Sequence, residues 1–198
     1  DAGRRDLGNA ALALLTRLDG GAAARAQYAR ADNMTQQLGA LTALMAQGLG
    51  ADENAAFEAQ WRDERLVMDR WFALQVAYAR LDAAPARAAE LTARADFNIR
   101  NPNRFRAVFG ALAGNAGGFH AAGGAGYDLL ADWLIRLDPI NPQTAARMCT
   151  AFQTWPRYDA GRQARMKAAL SRIAAAPGLS RDSAEMVGRI LGDAGDAA

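Results

Sequence analysis

Apolar residues recur along this chain at spacings of three and four rather than two, and one stretch of the pattern occurs twice. After Asn101-Pro102-Asn103-Arg104 the apolar positions are Phe105, Val108, Phe109 and Leu112. After Asn141-Pro142-Gln143-Thr144, 40 residues further on, they are Ala145, Met148, Cys149 and Phe152. Both sets run i, i+3, i+4, i+7, which is one face of an α-helix. In each opening the Asn side chain is placed to accept from an unpaired first-turn N–H, and Pro takes the first helical position, where no donor is needed. A repeat near 40 residues predicts stacked helix pairs.

The same periodicity predicts a helix over 7–18 with Ala11, Leu14, Leu15 and Leu18 inward, a short one over 22–30, and one over 34–49 lined by Leu38, Leu41, Leu44, Met45 and Leu49. Residues 54–80 read as a single long central helix carrying Phe57, Trp61, Met68, Trp71 and Phe72, followed by a shorter helix over 85–95. Gly114 to Gly126 reads as a glycine-rich joint, and 127–137 as a helix with Tyr127, Leu130, Leu134 and Leu137 on one side. A helix over 159–176 is expected to bury Ala164, Ala168, Leu170 and Ile173, and Ser180 to cap a last helix carrying Met186, Val187, Ile190 and Leu191. The tail 192–198 is expected to fray. Alanine abounds, Gly and Pro fall at the joints, and alternating β-branched runs are missing, so no sheet is expected. The predicted fold is all-α: antiparallel helix pairs stacked as a HEAT/ARM-like superhelical solenoid, a single domain over 1–198 with no internal boundary.

Composition narrows the chemistry. One cysteine allows no internal disulfide, and one histidine with it falls short of the three or four ligands of a zinc site. The net charge is +2 and the 23 basic residues are scattered, so no phosphate-binding stripe forms and no nucleic-acid partner is expected. No apolar run approaches the roughly 18 residues of a bilayer span, and the first segment lacks a signal's apolar core, which predicts a soluble, cytoplasmic protein without a membrane partner. The chain opens at Asp1 rather than Met, as a piece of something longer would.

Several residues invite a chemical reading. His120 follows a glycine-rich turn but has no nucleophile or orienting group in a recognisable motif, so it reads as structural. Cys149 falls on the buried face and reads as a small core residue. The glycines between 117 and 126 lack the Gly-Lys-Ser/Thr ending of a phosphate loop and follow no predicted strand. The aromatic series over 57–72 is assigned to packing, and Arg162, Arg165, Lys167 and Arg172 to a solvated helix face. Arg104, Arg106 and Arg147 differ, because they sit within two turns of capped helix starts where backbone N–H groups also favour negative charge. By helical angle Arg147 points away from its apolar stripe and Arg106 lies on the flank of its own. They can hold a carboxylate; solvated arginines or internal ion pairs are the alternative. No catalytic, cofactor-binding or metal-binding residue is assigned in this chain.

Taken together, Arg4-Arg5-Asp6-Leu7 with Asn9, Asn33-Met34-Thr35, Phe57 with Trp61, Leu66 through Phe72, Asn101-Pro102-Asn103-Arg104, Phe119-His120, Gly126-Tyr127, Asn141-Pro142-Gln143 and Arg157-Tyr158-Asp159 carry a family likeness. The chain resembles, nearly end to end, the C-terminal helical domain of bacterial aminopeptidase N, the zinc-dependent alanyl aminopeptidases of the gluzincin class. The His-Glu-x-x-His zinc motif of that family's catalytic domain is missing from this sequence. The resemblance therefore implies a noncatalytic part of such an enzyme, with zinc in a catalytic domain elsewhere in the same polypeptide as its partner. It also implies a bowl of helices that encloses the active-site chamber and gates or orients peptide substrates. Arg106 and Arg147 would line that chamber and meet the carboxyl end or backbone of a bound peptide. From a different class, a free-standing helical-repeat scaffold binding a protein segment on its concave face remains open.

Overall fold

A computed structural model describes residues 2–192, so all of the expected frayed tail except Gly192 lies outside the described residues. Every regular element among them is helical, in the order α1 (Ala2–Leu15), α2 (Ala22–Arg30), α3 (Met34–Met45), α4 (Ala51–Trp61), α5 (Arg65–Ala77), α6 (Ala84–Thr92), α7 (Pro102–Gly114), α8 (Ala116–Phe119), α9 (Ala125–Leu137), α10 (Pro142–Cys149), α11 (Ala160–Ala174) and α12 (Arg181–Gly192). Short 3-10 turns occupy Leu81–Ala83, Thr150–Phe152 and Trp155–Arg157. The all-α expectation holds. The chain forms two compact units, Asp1–Leu74 and Gln75–Ala198.

In the first unit one core cluster is Leu12, Ala24, Ala40, Ala43 and Leu44, with Tyr28 and Leu49 packed against it, and Leu41, Phe57, Met68, Trp71 and Phe72 are buried as well. The expected inward face of α1 is corrected. Leu14 and Leu15 are 64% and 46% exposed, Leu18 in the following turn is 85% exposed, and the buried positions are Leu12 and Thr16. A polar residue decides this register. Asn9 donates to the Thr35 carbonyl at 3.1 Å and accepts from Gln27 at 2.9 Å. The close approach depends on Gly39, where a Cβ would lie 2.4 Å from the Asn9 side chain. Asp19 then caps α2, accepting from Gly21 N and Ala23 N at 2.9 and 2.8 Å. Its carboxyl is held below the usual range, mainly by the Ala23 N–H.

The expected single helix over 54–80 is two helices, α4 and α5, with Arg62, Asp63 and Glu64 between them. That tripeptide is charged and exposed, and no deeply buried side chain occurs between Phe57 and Met68. A turn there exposes no core, so the helical periodicity on either side does not require a continuous rod.

In the second unit both Asn-Pro openings behave as the sequence predicts. Asn101 accepts from Asn103 N and Arg104 N, and Asn141 from Thr144 N. Phe105, Val108, Phe109 and Leu112 are fully buried, as are Cys149 and Phe152, with Ala145 nearly so and Met148 half-buried. The glycine-rich joint contains a surprise in α8. Asn115 caps it by accepting from Gly118 N at 3.0 Å, while its Nδ2 donates to the carbonyls of Val76, Ala77 and Ala79 at the end of α5. One side chain thus satisfies orphan groups at two helix ends. Gly126 lets α9 pass close to α8, since a Cβ there would come within 2.8 Å of the Phe119 carbonyl oxygen.

The interior of α11 is also corrected. Ala164 and Ala168 are exposed, and the buried set is Met166, Ala169, Leu170 and Ile173, again i, i+3, i+4, i+7. Alanines are small enough to read as either face, so the larger Met166 and Leu170 settle the rotation. The start of α12 is secured by Asp138, 2% exposed, which accepts from Ser180 N at 2.7 Å and from the Ser180 and Ser183 hydroxyls at 2.6 Å each.

Candidate functional site

Because Asn101 and Asn141 fix where α7 and α10 begin, they also fix where Arg106 and Arg147 project. Both are exposed, and both line one cavity of ≈ 350 Å³ together with Gln143, Thr144, Met148 and Thr150. Arg106 is steadied from its own first turn, with Nη2 donating to Asn103 Oδ1 at 2.6 Å. The Arg147 guanidinium has no hydrogen-bond or ion-pair partner among the described residues. Two guanidinia at one cavity can each present a fork of donors to a carboxylate. Arg104, the third candidate, is corrected: it is 4% exposed, and its Nη1 donates to the Asp96 carbonyl at 2.6 Å. The Asp96 carboxyl is held below the usual range chiefly by the Arg94 hydrogen bond. These groups anchor the approach to α7.

A second cavity of ≈ 360 Å³ shares Gln143, Arg147 and Thr150 with the first and adds Ala146 and a row on α12, so Arg147 stands in the wall common to both. Sequence reasoning gives that α12 row no site role and counts only Met186 of it, as part of the helix's apolar face. Its signal was present, because Asp182, Glu185, Met186 and Arg189 lie at i, i+3, i+4, i+7. In the first unit a cavity of ≈ 490 Å³ lies between α1 and α3, lined mainly by small and apolar residues with Asn9, Thr35 and Arg70. No sequence candidate falls there.

His120 is held on every side. Its Nδ1 lies 2.9 Å from the Tyr127 hydroxyl, its ring stacks on Tyr158 at 4.1 Å, and its carbonyl accepts from Arg162 Nε at 2.6 Å. Arg162 is in turn paired with Asp159. Burial, with a smaller push from Arg162, lowers the His120 pKa below its ordinary 6.5, and burial raises Tyr127 to about 12. This favours a neutral imidazole and a protonated phenol that hold each other in place. Cys149 is fully buried, and burial pushes its thiol up to about 12, so it carries no reactive thiolate. Among the described residues no group of three or more His, Cys, Asp or Glu is placed to hold a metal ion.

The basic row of α11 is less solvated than expected. Arg172 bridges Asp128 and Asp132 of α9, and the Lys167 ammonium sits 4.2 Å from the centre of the Trp155 ring. Arg162 is spent on Asp159 and His120. No helix among the described residues is long and apolar enough to cross a membrane.

The family described as "Domain of unknown function (DUF3458_C) ARM repeats" matches residues 1–192. Aminopeptidase N of Caulobacter vibrioides is 39% identical over 197 residues, covering 96% of this chain and 23% of that protein. Aminopeptidase N of Haemophilus influenzae is 40% identical over 168 residues, covering 83% of this chain and 19% of that protein. Among solved structures, Legionella pneumophila aminopeptidase A in complex with aspartic acid superimposes with a TM-score of 0.86 at 29% identity, covering 97% of this chain and 23% of that one. The chain thus spans about a quarter or less of each relative.

Proposed function

The chain belongs to the DUF3458_C family of ARM repeats, and from that premise we propose that it forms the noncatalytic C-terminal part of a zinc aminopeptidase. In this reading it encloses the active-site chamber, gates or orients peptide substrates, and has the catalytic domain of the same polypeptide as its partner. The near end-to-end likeness to aminopeptidases is the observation that carries it. The metal would belong to the rest of the polypeptide. This chain offers one histidine engaged with Tyr127 and one buried thiol, a donor set that does not fit a zinc site.

Within that role Arg106 and Arg147 receive the carboxyl end of a peptide, and their convergence on one cavity supports the assignment. A charge-assisted hydrogen bond sheltered from water contributes about 1.5–3 kcal/mol, whereas the same bond in bulk solvent contributes almost nothing. Arg106→Ala or Arg147→Ala in the full-length enzyme should therefore raise KM about tenfold for longer peptides and leave a single-residue amide substrate nearly unchanged. Equal effects on both substrates would remove the contact. The chain by itself, supplied with zinc and an alanyl chromogenic substrate, should show no turnover. Turnover that disappears on mutating a residue of this chain would defeat the noncatalytic assignment.

A further inference from the structure

The cavity between α10 and α12 has a composition unlike that of a neutral groove. On the α10 side Gln143, Ala146, Arg147 and Thr150 succeed one another at i, i+3, i+4, i+7. On the α12 side Asp182, Glu185, Met186 and Arg189 do the same. Two helix faces therefore line one trough, with Ala146 and Met186 supplying its apolar surface and charge of both signs at its rims. Some opposite charges elsewhere in this unit are paired, as in Arg94 with Asp96, Arg162 with Asp159, and Arg172 with Asp128 and Asp132. Here they are not. Among the described residues the Asp182 and Glu185 carboxylates and the Arg147 guanidinium have no hydrogen bond or ion pair, and Arg189 turns to the Met186 sulfur at 3.0 Å.

We infer that this trough is a subsite for a cationic side chain, Lys or Arg, on a peptide whose terminal carboxylate lies at Arg106 and Arg147. The inference rests on the carboxylate reading of those two arginines. Arg147 stands in both cavities, so a ligand held there by its carboxylate continues directly into the trough. An extended peptide advances only about 3.3 Å per residue, so the side chain next to the terminus is within reach of α12. The methylene stem of a lysine suits the Ala146 and Met186 surface, and its ammonium suits the two carboxylates. A bare divalent cation fits poorly: hard cations take six or more oxygens, and no acidic group of three is placed to hold one among the described residues.

Titration calorimetry on the full-length polypeptide tests this with N-acetylated peptides, which lack the terminal amine an aminopeptidase requires. Lysine is then the sole cation. N-acetyl-Ala-Ala-Lys-Ala should bind about tenfold more tightly than N-acetyl-Ala-Ala-Gln-Ala. The Asp182→Asn/Glu185→Gln double variant, nearly isosteric and exposed, should reduce that preference to less than about twofold while keeping the Gln peptide's affinity. A preference unchanged in the double variant, or no preference in the parent protein, overturns the subsite. The C-terminal amide of the Lys peptide separates the underlying reading. Its weaker binding should vanish in Arg106→Ala/Arg147→Ala, and a penalty that survives there overturns the carboxylate assignment, leaving the Lys/Gln comparison as the measure of α12.

Discussion

The polar cluster around His120 and the one around Arg147 lie in the same unit and use similar residue types, yet they differ in how much of their bonding capacity is consumed. Around His120 nearly every polar group has a partner: the imidazole meets Tyr127, its backbone carbonyl meets Arg162, and Arg162 meets Asp159. Around Arg147 a guanidinium and two carboxylates share a cavity without touching. A saturated network rigidifies a fold, and a ligand would have to break it to enter. An unsaturated one leaves donors and acceptors for a ligand. The solitary histidine is the conspicuous residue in the sequence, but the arginine is the one left with free donors at a cavity, and so the better candidate.

The sharpest way to break this contrast is to damage the saturated side. Tyr127 is fully buried and packs edge-on to Phe119 with ring centres 5.1 Å apart. Tyr127→Ala should cost about 3–5 kcal/mol in urea unfolding. A loss under about 1 kcal/mol would mean that the cluster is not holding the fold.

A smaller effect follows from His120 titration. Its folded pKa lies below 6.5, so the unfolded chain takes up a proton first as pH falls. The stabilisation is therefore complete above about pH 6.5 and declines as pH drops towards the lowered folded value. The urea midpoint should fall between pH 7.5 and 5.5 in the parent protein and less so in His120→Gln. Identical pH slopes would show that His120 does not carry the dependence. Smallest of all, Arg147→Ala should change folding stability by less than about 0.5 kcal/mol, because the side chain is exposed and unpaired among the described residues. A large loss would move Arg147 to the structural side of the comparison.

Much of the fold was legible. The Asn-Pro openings, the buried faces of α7 and α9, and the helical class all follow from local chemistry, since a cap and a 3.6-residue period are properties of a dozen neighbouring residues. The failures arise where distant partners, or residues too small to mark a face, decide the outcome. In α1 a run of leucines marked the wrong face because Asn9, through partners 18 and 26 residues away, sets the rotation. In α11 small alanines carried too little apolar area to decide which side turned inward. Asn115 looked like a residue of a glycine joint, and only the nearby end of α5 gives its amide three carbonyls to cap. Half of the candidate site was likewise visible: Arg106 and Arg147 stood out beside their caps, while Asp182 and Glu185 did not.

By itself, then, the order of residues determined that this chain is helical, where its capped helices begin, and which arginines follow those caps. Each of these depends on bonds and sterics within a turn or two. Which face of an ambiguous helix is buried, which charges are neutralised and which stay free were decided by the tertiary structure. Those outcomes depend on groups tens of residues apart competing for the same carbonyl, the same carboxylate or the same few square ångströms of apolar surface.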